Sequence, residues 1–179
     1  MTASQRGVAA GMAGGLAVAL ALTFWSTSGS PGLVLSFHAL NLTQRLTLAA
    51  AAWLGPLACL AVAVGVVANR RFFSAPDIDG AGLTEERPRL RISRAVLANT
   101  HEQAMLAIPV YTALAVILPV SQLTYPLLLS ATFVVGRIAF ALGYAKGAAA
   151  RSLGFTLTFY PTVAGLVVVA ARVVHVVLG

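Results

Sequence analysis

The chain has 179 residues, of which 59% are hydrophobic and only 9% charged, with a mean hydropathy of +0.88. A soluble domain carries about 25% charged residues, so this composition excludes a water-soluble globule. The net charge of +7 does not require nucleic acid as a partner, because six of the twelve basic residues fall within 70–94, as the positive-inside rule predicts for a cytoplasmic loop. The apolar segments are continuous for about 20 residues, whereas a spanning β-strand alternates over about 10. The sequence therefore predicts an all-α integral membrane protein.

The first apolar segment, residues 7–27, has two interpretations. A basic start, an apolar stretch and a small polar tail resemble a signal peptide, which would be removed. The stretch is long for a signal peptide, however, and Gly7, Gly11 and Gly15 recur at every fourth position, which suits close packing of membrane helices. We therefore favour an additional N-terminal transmembrane helix, with residues 1–44 forming this helix and a linker.

Four further apolar segments follow, each near the ~20 residues that a helix needs to cross a bilayer. They cover residues 45–68, 95–119, 124–145 and 152–178. Because the connections at 120–123 and 146–151 are very short, the last three helices must be antiparallel neighbours. The sequence predicts a four-helix transmembrane bundle over residues 45–179.

The longest polar segment, residues 69–94, contains four of the five acidic residues. It predicts an irregular loop, and its arginines place it in the cytoplasm. The 146–151 connection, with Lys146 and Arg151, then lies on the same side. The Ala-, Val-, Gly- and Arg-rich composition favours a bacterial inner membrane, with an endoplasmic membrane as the alternative.

Two ionisable residues lie inside the predicted spans. Glu102 is the only acidic residue in any apolar segment, and Arg137 is the only basic residue well inside the fourth. At 1.5 Å per helical residue, both lie roughly 12–13 Å from the same membrane face. Unpaired charges at this depth are costly, so we expect Glu102 and Arg137 to pair or to share one polar pocket.

Helical spacing extends this pocket. Asn99 and Glu102 are separated by three residues and share one helix face, as do Arg137 and Tyr144, which are separated by seven. The pocket would open toward the cytoplasm, with three residues near its mouth: Tyr144, Arg151 and Ser152. A purely structural ion pair that fixes helix register is the alternative.

Metal and thiol chemistry find little support in the sequence. No cluster of His, Asp or Glu has the spacing of a metal site. The single cysteine, Cys59, lies in an apolar run. An apolar setting disfavours the thiolate, so we interpret Cys59 as a packing residue.

Two motifs resemble those of the MAPEG family, the membrane-associated proteins of eicosanoid and glutathione metabolism. The first runs Arg94-Ala-Val-Leu-Ala-Asn99-Thr-His-Glu102-Gln103 and is similar to the family's second-helix signature. The second runs Gly136-Arg137-Ile-Ala-Phe140-Ala-Leu-Gly-Tyr144, with Arg151-Ser152-Leu-Gly-Phe155 and Pro161 after it. It is similar to the family's third helix, its cytoplasmic turn and the start of its fourth helix. The resemblance covers about residues 45–178.

The resemblance implies a four-helix bundle that forms a homotrimer, with glutathione bound between subunits at the cytoplasmic side. It also implies a catalytic role for Arg151, with Ser152 beside it, because the matching arginine stabilises the glutathione thiolate in active members. Six residues match positions that contact glutathione: Asn99, Glu102, Arg137, Tyr144, Arg151 and Ser152.

The resemblance predicts a glutathione-dependent transferase or peroxidase that acts on lipophilic electrophiles entering from the bilayer. This sequence departs from the family pattern in two places. Val96, Leu97 and Ala98 stand where some members carry a basic or polar ligand, and Phe140 stands where some prostaglandin synthases carry histidine. Because fold transfers more safely than activity, a non-catalytic lipid-binding or scaffold protein of the same fold is the alternative.

Overall fold

The computed structural model describes residues 1–28, 40–78 and 87–179. Within them all regular structure is helical, which confirms the all-α prediction. Most of the first predicted connection (29–39) and the middle of the predicted polar loop (79–86) lie outside the described residues. The elements in chain order are α1 (Ala3–Thr27), α2 (Leu42–Phe72), α3 (Pro88–Ile117), a short 3₁₀ helix (Val120–Gln122), α4 (Thr124–Tyr144) and α5 (Ala148–Leu178).

Four helices in this part of the chain are long and apolar enough to cross a membrane: α1, α2, α4 with its preceding turn, and α5. The fifth helix, α3, is less apolar than these four, and the predicted helical membrane bundle stands. The 30 residues of α3 are sufficient to cross, but Asn99, His101, Glu102 and Gln103 lower its hydropathy. The polar site is therefore carried by the least apolar helix of the bundle.

The helices pack in a defined order. The main contacts join α1 to α5, α2 to α3, and α4 to α5. The buried core includes Tyr111 and Leu114 of α3 together with Tyr125, Leu129 and Phe133 of α4. This apolar core holds α3 and α4 side by side, and the two helices carry the predicted polar residues toward the other end of the bundle.

That other end, here called the basic end, carries the α2–α3 connection and the α4–α5 turn. Arg70 of α2 donates a hydrogen bond to the carbonyl of Arg89 there, which ties the two helices across the connection. The α4–α5 turn passes through Gly147, whose φ of 102° lies in a region that essentially only glycine occupies. This turn brings the start of α5 back against the end of α4.

The N-terminal helix packs tightly on α5. A Cβ atom added to Gly7, Gly11 or Gly15 would collide with Ala149, Ser152 or Thr156, respectively. The Thr156 hydroxyl donates to the Gly11 carbonyl at 2.8 Å. The glycine stripe therefore permits close helix packing, and α1 runs parallel to α5 from the basic end.

Candidate functional site

The centre of the polar site is the Arg137 guanidinium on α4. Arg137 is only 4% exposed. Its Nη1 donates to Asn99 Oδ1 at 2.8 Å, and its Nη2 donates to Thr158 Oγ1 on α5 at 3.0 Å. The guanidinium also lies over the Phe140 ring, 4.3 Å from the ring centroid. Arg137 thus joins α3, α4 and α5 at one depth.

Glu102 reaches Arg137 only through Asn99. The amide Nδ2 of Asn99 donates to Glu102 Oε2 at 3.3 Å, while its Oδ1 accepts from Arg137. An amide that donates at one end and accepts at the other suits a carboxylate and a guanidinium. Of the two predicted arrangements, the direct Glu102–Arg137 ion pair is therefore not the one observed. The two residues share a hydrogen-bond network that Asn99 bridges. Glu102 itself is exposed and is not among the residues that line the two cavities described below.

A cavity of about 440 Å³ opens beside this network at the basic end. Its volume lies within the ~300–1,000 Å³ of small-molecule sites. Four of the six predicted site residues line it: Asn99, Tyr144, Arg151 and Ser152. Most of the remaining wall is apolar and includes Phe140, Phe155 and Tyr160. The cavity therefore combines a cationic, hydrogen-bonding side with an apolar side.

Arg151 supplies the cation of this cavity. Its guanidinium stands over the Tyr144 ring, 4.4 Å from the ring centroid, and its side chain is half-buried. Among the residues that the structure describes, no hydrogen bond or carboxylate partner engages the guanidinium. A cation on an aromatic face beside a cavity is suited to bind an anionic ligand group.

Ser152 lies beneath α1. Its side chain is buried against Gly11, and its hydroxyl donates to the Ala149 carbonyl at 2.8 Å. Because the proton is committed to the helix backbone, the oxygen is left to accept a hydrogen bond from a ligand. Its catalytic role stays a prediction.

The family model for MAPEG matches residues 46–171, well over half of the chain. The chain belongs to the MAPEG family. It is accordingly a membrane protein of the eicosanoid and glutathione metabolism type. No curated protein and no solved structure matches the chain significantly. The match confirms the resemblance seen in the two motifs, and it leaves α1 outside.

A second cavity of this MAPEG chain lies on the other side of Arg137. It has about 460 Å³ and is formed by α2, α3 and α4. Apart from Arg70, Arg137, Ser93 and Thr100 its wall is apolar, and Cys59 lines it. The cysteine interpreted as a packing residue therefore borders an apolar groove. Between residues 1–28, 40–78 and 87–179, no group of three His, Cys, Asp or Glu side chains could hold a metal ion.

Sequence reasoning missed two parts of this MAPEG site. Thr158, the second partner of Arg137, follows Arg151 by seven residues, so the spacing that joined Arg137 to Tyr144 could have found it. Val8 and Met12 of α1 also line the first cavity. No motif indicated them, because they lie more than 80 residues before the nearest residue of either motif.

Proposed function

We propose that this MAPEG chain is a glutathione-dependent transferase or peroxidase acting on lipophilic electrophiles. One observation carries the proposal: Arg151 has no anionic partner among the described residues and lines a cavity together with Asn99 and Tyr144. Glutathione offers two carboxylates, one ammonium and a thiol. Arg151 is complementary to its anionic groups, and the accessible Glu102 carboxylate beside Asn99 is complementary to its ammonium.

The same guanidinium would activate the thiol. A free thiol has a pKa of about 8.5, and a neighbouring cation lowers that pKa, which raises the thiolate population at neutral pH. In a transfer reaction the thiolate sulfur forms a bond to the electrophilic carbon, and a leaving group such as chloride departs with the electron pair. Arg151 and a hydrogen bond accepted by Ser152 would hold the peptide in place during this step.

In a peroxidase reaction the sulfur attacks the terminal oxygen of a hydroperoxide and the O–O bond breaks. The alkoxide takes a proton and leaves as an alcohol, while a second glutathione thiol converts the sulfenic acid to a disulfide and water. The apolar wall at Phe155 and Tyr160 suits a lipophilic partner in either reaction. We also propose that the protein lies in a bacterial inner membrane with its basic end facing the cytoplasm. We further propose that it forms a homotrimer.

A non-catalytic lipid-binding or scaffold protein is the second candidate. The second cavity favours it, because its wall at Cys59, Val62 and Val66 is apolar and lies along membrane-spanning helices. Such a groove could hold an acyl chain without any chemistry. The two candidates differ in one measurable property, the ionisation of bound glutathione.

The test is the ultraviolet thiolate absorbance of the purified protein titrated with glutathione. We expect the absorbance to rise in the unsubstituted chain and to be lost in Arg151→Ala. Arg172→Ala is the matched control, because Arg172 bonds Gln122 at the opposite end of the bundle; this variant should keep the signal. If the protein showed neither glutathione binding nor thiolate absorbance, the result would contradict the enzyme proposal and favour the scaffold interpretation.

A further inference from the structure

The N-terminal helix takes part in the candidate site. Residues 46–171 match the family model, so α1 lies wholly outside it. Nevertheless Val8 and Met12 line the same cavity as Asn99 and Arg151. A segment that the family pattern does not contain therefore faces the candidate ligand.

This helix is held firmly enough to act as a wall. The glycine stripe seats it on α5 at the basic end. Toward the opposite end, Thr23 and Tyr125 share a hydrogen bond of 2.7 Å between their hydroxyls, and Gln122 Nε2 donates to the Thr27 carbonyl at 2.9 Å. Contacts at both ends fix the position and the rotation of α1 on the bundle.

The rotation of α1 sets which side chains face the cavity. Val8 and Met12 are one helical turn apart and lie beside the glycine stripe on the helical wheel. When the stripe docks on α5, these two side chains therefore face into the cleft next to the contact. Met12 remains 46% exposed, which leaves its side chain in contact with the open volume. The cavity thus has a polar side at Asn99 and Arg151 and an apolar side at α1.

We propose that Val8 and Met12 form the apolar subsite that selects the lipophilic electrophile, with Met12 limiting the chain length accepted. This rests on the proposed function, because the reactive carbon must lie near a thiolate held at Arg151. Methionine suits the role, since its flexible thioether adapts to varied apolar shapes. The substrate class is an apolar chain that ends in an electrophilic carbon, such as an α,β-unsaturated aldehyde.

The addition to such an aldehyde balances without a further reagent. The thiolate sulfur forms a bond to the β carbon, and the alkene electron pair moves to the α carbon through the enolate. Water relays to the α carbon the proton that the thiol lost on ionisation, and no group leaves. The reaction is therefore a simple probe in which only the chain length of the aldehyde changes.

The experiment compares Met12→Trp and Met12→Ala with Leu20→Trp, a matched control on the same helix. Leu20 is 60% exposed and does not line the cavity. The substrates are crotonaldehyde and a long straight-chain homologue. We expect the ratio of kcat/KM for the long to the short aldehyde to fall about tenfold in Met12→Trp, at the lower end of methylene-sized discrimination in apolar pockets.

Met12→Ala should instead raise this ratio, because it removes the side chain that limits the chain length, while Leu20→Trp should leave the ratio unchanged. The KM for glutathione should change in none of the three variants. If both Met12 variants keep the ratio of Leu20→Trp while the thiolate signal is normal, the subsite is not at α1. If the unsubstituted chain shows neither thiolate nor conjugation, the proposed function itself fails, and the subsite with it.

Discussion

Replacing Thr158 by valine should destabilise the bundle through Arg137. The substitution keeps the shape of the side chain but removes the acceptor of the 3.0 Å bond from Arg137 Nη2. Both side chains are buried, at 1% and 4% exposure, so water does not readily replace the lost partner. A hydrogen bond to a charged group contributes about 1.5–3 kcal/mol, and we expect the free energy of unfolding to fall by about that amount.

The assay is equilibrium unfolding in mixed micelles, followed by circular dichroism. Thr132→Val is the matched control, because the Thr132 hydroxyl donates only to the Leu128 carbonyl of its own helix; we expect little change there. A double-mutant cycle with Arg137→Met isolates the contact. In the Arg137→Met background, Thr158→Val should lower the free energy of unfolding by much less than it does in the unsubstituted chain. Equal losses for Thr158→Val and Thr132→Val, or a coupling energy near zero, would refute the assigned network.

Three further outcomes are expected. Gly11→Leu should detach α1 from α5 and make α1 more sensitive to protease, because the new side chain collides with Ser152. Ala13→Leu, on the exposed side of α1, should not change this sensitivity, and equal cleavage of the two variants would contradict the packing of α1 on α5. Gly147→Ala should lower the free energy of unfolding by about 1–3 kcal/mol, because residue 147 has a positive φ. Gly65→Ala, in open space on a helix, should be neutral or stabilising. Equal changes in the free energy of unfolding of the two variants would argue against the strained turn. Peptide mapping of the purified protein should recover peptides from α1 (Ala3–Thr27); their absence would support a cleaved signal peptide.

Apolar segments predicted the helices well but not their ends. The segment predicted over 45–68 is a helix over Leu42–Phe72, and the segment predicted from residue 95 begins at Pro88. Hydropathy marks the part of a helix that lies in hydrocarbon. Backbone hydrogen bonding continues beyond it until a cap or a proline ends the helix. The basic residues at the end of α2 and the start of α3 are therefore helical, although the sequence predicted them to lie in an irregular loop.

Depth and spacing brought the correct polar residues together, yet they did not predict which atoms bond. The sequence predicts Glu102 and Arg137 at one depth, with Asn99 on the same helix face as Glu102, and the structure joins Asn99 to Arg137 directly. That Asn99, rather than Glu102, meets the guanidinium depends on the rotation of α3 about its own axis. Packing against neighbouring helices sets this rotation, and a one-dimensional period does not contain it. The position of Met12 in the wall of the first cavity depends in the same way on how α1 packs against α5.

Calorimetric titration of the purified protein with glutathione tests the central claim most directly, namely that the cavity beside Arg151 binds this peptide. We predict saturable binding to the unsubstituted chain and to Arg172→Ala. Binding should weaken at least about tenfold in Arg151→Ala, because a charge-assisted contact of about 1.5–3 kcal/mol is lost. Binding that is undetectable in the unsubstituted chain, or equal in the two arginine variants, would contradict the assignment of this cavity to glutathione.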